Sequence, residues 1–420
     1  MHINVIRTSA SLAAVASILA ASGAARAADV GDCAAVGPET IYVAGSSAVK
    51  PFMKALGTAL AGTETIVYVS QGSCVGVDEM VNGTKIPAAT ANGIVWTAAG
   101  VENTCDVVTA VSPDIGVSDV FATSCAGITT YDKTKLGDFQ GPVQVMNFVV
   151  PKASFDNGNH AISAEAAYLV FGFDPAAPNP ATTKSYADGT PWTSKDDIWI
   201  RGAGSGVQSM LGKAINLPPA NWALNAYVDA GTVKHAVAGG SGEIVTRVGT
   251  PTGTVDATIG ILASNDLDNH RDTMRGLSFQ QYGQSCGYWP DSSSDSKDKL
   301  NVRTGRYPIW GGLHMYAPIG ADKKPSKTPA ADLIAYVRGD KAIPDVDIVT
   351  LETTSNLVPV CAMQVSRDAE IGDYMSVNPT CSCFYDTARG GNVDNCVTCS
   401  DAKPCADTSL TCSYGFCEAI

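Results

Sequence analysis

Four short segments rich in glycine, serine and charged side chains constrain the fold of this chain most. They are residues 44–47, 72–76, 118–119 and 201–206. Three of them lie where the sequence predicts the end of a strand or the start of a helix, and only one carries a cation, Arg201. A helix start presents unpaired N–H groups and the positive end of the helix dipole. Hydroxyls, amides and one guanidinium gathered there predict a site for a small anion.

Charge restricts the partners of this site. The chain has 420 residues, enough for two or three domains, and 41 acidic against 28 basic residues give a net charge of −13. Nucleic acid and anionic membrane surfaces are therefore poor partners. An anion must be held by local donors rather than drawn in by the overall field.

The first 27 residues have the pattern of an export signal. Arg7 precedes an apolar run over residues 12–19, and Ala25-Arg26-Ala27 fits the small-x-small cleavage rule. The run is too short to cross a bilayer, and no other segment is a credible membrane span. We predict a signal peptide over 1–27 and a periplasmic, secreted or cell-surface protein.

The cysteines agree with export. There are thirteen, and eight follow residue 360, where disulfides are favoured over zinc at Cys396-x-x-Cys399 because this region contains no histidine. An odd number leaves at least one thiol free or paired between chains. Cys105 and Cys125 flank the strand before Asp119 and are a candidate pair, although spacing alone does not establish it. Cys74 is either a disulfide tether for its loop or a small packed residue.

Predicted strands alternate with predicted helices through most of the chain. Apolar strands at 40–43, 65–70, 114–118, 143–150, 197–200, 258–262 and 309–318 are separated by helical patterns, such as those of 163–171 and 330–337. Residues 83–110 are predicted to be an insertion of turns and short strands, and 286–306 a polar loop. The alternation predicts an α/β fold with mainly parallel sheets.

Five motifs follow one another between residues 39 and 340. They are Tyr42-Val43-Ala44-Gly45-Ser46-Ser47, Val69-Ser70-Gln71-Gly72-Ser73-Cys74-Val75-Gly76-Val77, Gly116-Val117-Ser118-Asp119, Ile200-Arg201-Gly202-Ala203-Gly204-Ser205-Gly206, and 238–242 followed by Ile259-Gly260-Ile261. In this order they resemble the phosphate-binding substrate receptor of bacterial ABC transporters, a type II periplasmic binding protein.

The resemblance implies a two-lobed α/β fold with the anion in a cleft between the lobes. Lobe one would comprise 38–147 plus 316–355 and lobe two 148–310, with crossings near 143–150 and 309–318. A disulfide-stabilised, Cys-rich tail over 356–420 has no counterpart in that family. The implied phosphate ligands are Ser47, Ala48, Ser73 and Asp119 from lobe one, and Arg201, Ser205, Gly206 and Val207 from lobe two, with Ala48 and Val207 contributing amides.

Asp119 is the informative member of this set. An ionised carboxylate only accepts hydrogen bonds, so it suits an anion that still carries a proton, such as phosphate or arsenate, and opposes sulfate. Arg201 supplies the compensating charge and a planar fork of donors. Two residues differ from the family's motifs and bear on the affinity for phosphate. Val207 stands where the family has threonine, and Ala48 stands where it has an aromatic residue.

Three functions are compatible with this sequence. The first is a receptor that binds inorganic phosphate, or a similar protonated oxyanion, and passes it to an ABC permease. The second is a non-transport surface or scaffold protein that keeps the fold and uses its tail for attachment or partners. A phosphatase ranks last because the sequence offers no metal cluster and no activated nucleophile. We therefore predict a binding protein rather than an enzyme, with no cofactor and no metal.

Overall fold

The computed structural model describes residues 28–173, 190–218, 221–222 and 238–419. The predicted signal peptide lies outside the described residues. Within them, none of the helices combines the length and the apolar character that crossing a membrane requires.

The strands fall into one large sheet and three small ones. Their bounds are β1 Asp29–Asp32, β2 Thr40–Gly45, β3 Thr65–Ser70, β4 Ala89–Trp96, β5 Glu102–Val107, β6 Ile115–Ser118, β7 Leu136–Pro151, β8 Ala161–Ser163, β9 Ile198–Trp199, β10 Ile259–Ala263, β11 Met274–Gly276, β12 Ser278–Gln280, β13 Trp310–Pro318, β14 Val365–Ser366, β15 Met375–Ser376, β16 Leu410–Ser413 and β17 Phe416–Ala419.

The helices alternate with the strands along most of the chain, and the last one lies in the C-terminal region. They are α1 Lys50–Leu60, α2 Ser73–Asn82, α3 Lys152–Asp156, α4 Ala164–Gly172, α5 Gly206–Ala214, α6 Ser241–Gly249, α7 Ser264–Asn269, α8 Leu300–Arg303, α9 Thr328–Val337, α10 Ile348–Thr354 and α11 Ser382–Arg389. Short 3-10 helices cover Cys33–Ala35, Ala122–Ser124, Lys195–Asp197, Val255–Ala257 and Val360–Ala362.

The large sheet runs in the order β1-β5-β4-β3-β2-β6-β13-β7-β10-β9, with β11 also paired to β7. The α/β class is confirmed, but the prediction of mainly parallel sheets is wrong. Parallel pairing is kept at β1-β5, β3-β2-β6 and β10-β9, whereas β4, β7 and β13 pair antiparallel to their neighbours. The difference comes from the β4–β5 hairpin in the predicted insertion and from the two long crossing strands.

Strands β7 and β13 join the two lobes. They pair along most of their length, from Trp310 opposite Val145 to Pro318 opposite Leu136. We call the part built on β1 to β6 lobe one and the part built on β8 to β12 lobe two. Strands β7 and β13 overlap the ranges 143–150 and 309–318. The positions of the crossings and the residue limits given above for each lobe stay predictions.

All thirteen cysteines lie within the described residues, and twelve form disulfides. The prediction that the C-terminal cysteines form disulfides is confirmed: the pairs are Cys361–Cys381, Cys383–Cys396, Cys399–Cys412 and Cys405–Cys417. The exposed Cys286 is the free thiol.

The candidate pair Cys105–Cys125 is wrong. Cys105 bonds Cys33, because the parallel pairing of β1 with β5 brings the N-terminal segment beside it, and Cys125 bonds Cys74. The Cys74–Cys125 bond ties the start of α2 to the segment after Asp119. Of the two roles considered for Cys74, the structure therefore shows the disulfide tether.

The C-terminal region packs into the protein rather than hanging from it. Val358 pairs with Val143 of β7, and the side chains of Ala362, Met363, Cys381 and Tyr385 belong to the main hydrophobic core. Arg303 of α8 donates to Asp386 of α11, while Glu370 accepts from the Phe121 amide and the Ser124 hydroxyl of lobe one. The tail thus contacts both lobes.

Candidate functional site

Lobe one brings two serines to Asp119. Because β2 and β6 are parallel neighbours, Asp119, which follows β6, lies beside Ser46, which follows β2. The Ser46 hydroxyl donates to Asp119 Oδ2 at 2.5 Å, and the Ser73 hydroxyl, in the first turn of α2, donates to the same oxygen at 3.1 Å. The carboxyl ends of parallel strands therefore hold the acid in place from two sides.

The Asp119 carboxylate is buried, with 1% of the residue exposed. Its Oδ1 has no hydrogen-bond partner among the described residues. Burial raises the pKa of Asp119, and the bonds from Ser46 and Ser73 and the nearby Arg201 charge act in the opposite direction. An orphaned acceptor of this kind is costly unless a donor reaches it.

Lobe two supplies the cation. Arg201 follows β9, is 3% exposed, and its backbone N–H donates to Gln208 Oε1 of α5. One guanidinium nitrogen donates to Ser47 Oγ at 2.9 Å across the lobe boundary, and another donates to Ser241 Oγ at 3.3 Å. Nε has no partner among the described residues. The guanidinium thus bridges the lobes, and its Nε nitrogen keeps an N–H that no described residue uses.

Glycines let the two lobes approach each other at the site. A Cβ on Gly206 would lie 2.4 Å from Ser73 Oγ and 3.2 Å from Asp119 Oδ2. Gly72 has φ +106, and a Cβ there would lie 2.7 Å from the Gly204 carbonyl oxygen. The Cys74 amide donates to that same oxygen at 2.9 Å. Larger residues at either glycine would force the lobes apart.

The predicted ligands meet at one place, but several have other roles in the structure. Ser205 caps α5 by accepting from the Gln208 amide. The Ala48 amide donates to Ser46 Oγ at 3.1 Å, and the Ala48 side chain is buried. Val207 packs in the main hydrophobic core. Ser73 bonds Asp119, Ser47 bonds Arg201, and Gly206 lies against Ser73 and Asp119, so these five residues form the centre of the site.

Three polar residues of the site are not among the predicted ligands. Ser46, which precedes the predicted ligand Ser47 in the same motif, donates to Asp119. Ser241 begins α6 and accepts from Arg201. Asp266 lies in α7, directly after β10. Among the charged groups near Arg201, it has the largest effect on the pKa of the guanidinium and raises it. A Ser-Asn-Asp run after an apolar strand was the available signal for Asp266.

A scan of the sequence against models of known protein families matched none, and a search among curated proteins also gave no match. Solved structures with a similar fold include a proposed phosphate ABC transporter substrate-binding protein with bound phosphate from Clostridium perfringens, at 12% identity and a TM-score of 0.47, covering 77% of this chain and 100% of that one.

Two further structures are similar. A possible phosphate-binding protein from Planctomyces limnophilus has 12% identity and a TM-score of 0.41, covering 76% of this chain and 93% of its own. PstS from Borrelia burgdorferi has 13% identity and a TM-score of 0.35, covering 76% and 98%. These similarities are distant, so the chemistry of the site rests on the residues of this chain.

Proposed function

We propose that this protein is an exported receptor for a protonated oxyanion, and that inorganic phosphate is its ligand. The observation that carries the proposal is the buried Asp119 carboxylate, whose Oδ1 lacks a partner among the described residues although Arg201 lies nearby. A phosphate that keeps a proton can donate to Oδ1 and accept from the guanidinium at once. Sulfate, fully ionised, would place an acceptor against an acceptor.

The lobe boundary suits this ligand. Ser47 and Asp119 come from lobe one and Arg201 from lobe two, so one small anion can contact both lobes. Ligand bridging of this kind stabilises the closed arrangement of two hinged lobes. We propose that the bound phosphate is passed to an ABC permease, with the protein working in the periplasm or at the cell surface.

The test is titration calorimetry with phosphate and sulfate on the wild type and on Asp119→Asn. The wild type is expected to prefer phosphate by at least about tenfold, the equivalent of about 1.4 kcal/mol, because sulfate leaves a buried acceptor unsatisfied. In Asp119→Asn the amide can donate to sulfate, so the preference should fall. Asp132→Asn, which changes an exposed carboxylate, serves as control and should leave it unchanged. Equal wild-type affinities would contradict the proposal.

The tail supports a second candidate, a non-transport surface or scaffold protein of the same fold. Its contacts to Ser124 of lobe one and Arg303 of lobe two span the boundary that must open for ligand release. Small-angle scattering separates the two: a transport receptor is expected to become more compact when phosphate binds. An unchanged radius of gyration, together with measurable phosphate binding, would favour the second candidate.

A further inference from the structure

A second carboxylate, that of Asp266, lies near Arg201 in lobe two. Strands β9 and β10 pair in parallel, so Asp266, just after β10, lies at the same edge of the sheet as Arg201, just after β9. The Ser241 hydroxyl accepts from the guanidinium at 3.3 Å, and both Ser241 and Arg201 act to lower the pKa of Asp266. Asp266 Oδ2 is buried and has no hydrogen-bond partner among the described residues. The arrangement mirrors Asp119, which Ser46 and Ser73 hold from lobe one.

The charges around Asp266 set its ionisation. The pKa of Asp266 is raised to about 6. Burial is the main cause and the Asp119 charge adds to it, while Ser241, His270 and Arg201 act in the opposite direction. His270 directly follows the helix that contains Asp266, Arg201 follows β9 and Asp119 follows β6. Above about pH 7 the Asp266 carboxyl group is therefore mainly ionised and accepts hydrogen bonds only.

Three buried polar atoms of neighbouring groups thus lack partners within the described part of the chain: Asp119 Oδ1, Asp266 Oδ2 and Arg201 Nε. Two are acceptors and one is a donor. The dihydrogen phosphate ion has two O–H groups and two further oxygens that accept, so it can satisfy all three. The hydrogen phosphate dianion has a single O–H group and would leave one carboxylate oxygen facing a ligand oxygen.

We infer that this site selects the monobasic form of phosphate, and that Asp266 is the residue that rejects the dibasic form. The inference rests on the proposed function and deepens it. The charge balance of the site also favours the monobasic ion. The site contains one guanidinium and two carboxylates, so every further negative charge on a buried ligand adds repulsion at low dielectric.

The affinity for total phosphate should follow the fraction of the monobasic ion. Calorimetry with inorganic phosphate between about pH 7.5 and about pH 8.5, above the near-neutral second pKa of phosphate, is expected to show the Kd rising about tenfold per pH unit, as linkage to one proton requires. Below the second pKa the Kd should level off, because the monobasic ion then dominates.

Two variants test the role of Asp266. In Asp266→Asn the amide can donate to the dianion and one negative charge is gone. The increase of the Kd for total phosphate over the same pH unit should therefore shrink to less than about threefold. Glu243→Gln is the matched control: Glu243 also acts on the Arg201 charge, but it is partly exposed and its carboxylate already accepts from the Gly239 amide. This control should keep the tenfold rise.

The outcomes separate the two proposals. If the wild type binds no phosphate at any pH, the proposed function fails. If it binds phosphate with a Kd that is flat above the second pKa, the function stands and the selection of the monobasic ion is refuted. Should Asp266→Asn fail to fold, the ³¹P chemical shift of phosphate bound to the wild type decides. A shift that stays at the monobasic value across this pH range supports the inference, and a dibasic value overturns it.

Discussion

Replacing Arg201 with methionine is expected to weaken phosphate binding by about 30-fold to about 5,000-fold, corresponding to a loss of about 2–5 kcal/mol. Methionine keeps much of the apolar stem but removes the donors to Ser47 and Ser241 and the positive charge near Asp119 and Asp266. A phosphate anion would then enter a buried site holding two acidic groups and no guanidinium. Titration calorimetry of the variant measures the loss.

Arg247→Met is the control for this prediction. Arg247 belongs to the same lobe, and its side chain is 44% exposed and packs over the Trp199 ring. Its removal changes the net charge by the same amount without touching the site, so the affinity should stay within about twofold, since exposed charges contribute little. An Arg201→Met protein that binds phosphate as tightly as this control would show that the cation is not a ligand.

Arg201→Lys asks a narrower question. Lysine restores the charge but not the planar fork that reaches Ser47 and Ser241 together. We expect an affinity between those of the wild type and Arg201→Met, and the size of the recovery separates the contribution of charge from that of hydrogen-bond geometry.

The sequence predicts the elements around the site well because each motif is local. An apolar strand followed by glycine and serine defines the end of β2, the start of α2 and the start of α5 without reference to the rest of the chain. Asp119 could be singled out in the same way, as a lone acid after a buried strand. What a motif cannot supply is which of two neighbouring hydroxyls bonds the acid: Ser46 donates to Asp119, while Ser47 accepts from Arg201.

The features that the sequence did not predict depend on contacts between distant segments. Cys105 finds Cys33 only because β1 adds to the sheet beside β5, a pairing 72 residues apart. Asp266 lies near Arg201 only because β10 pairs in parallel with β9 and brings the two residues to the same edge of the sheet. The predicted polar loop over 286–306 contains Lys299, whose buried ammonium bonds Asp268 and Asp291. Such pairings arise from the assembled fold and leave no periodic signal.

Replacing Arg303 with methionine is expected to lower the free energy of unfolding by about 3–5 kcal/mol, because it leaves a largely buried carboxylate without its partner. Arg303 is 1% exposed, donates from Nη1 to Asp386 at 2.5 Å and from Nη2 to Ser382 at 2.9 Å, and lies over the Tyr385 ring. All three partners are on α11. Urea unfolding followed by tryptophan fluorescence, with the disulfides intact, measures the effect.

Comparison with two variants shows what the tail contributes. Arg306→Met, at an exposed position after α8, should change stability by no more than about 0.5 kcal/mol. The double variant Arg303→Met/Asp386→Leu should recover part of the loss, since removing both charges avoids burying one alone. If Arg303→Met is as stable as Arg306→Met, the ion pair does not hold the tail to lobe two. A large loss with recovery in the double variant would mean that the C-terminal region is part of the cooperative fold, so that opening between the lobes has to occur with the tail attached.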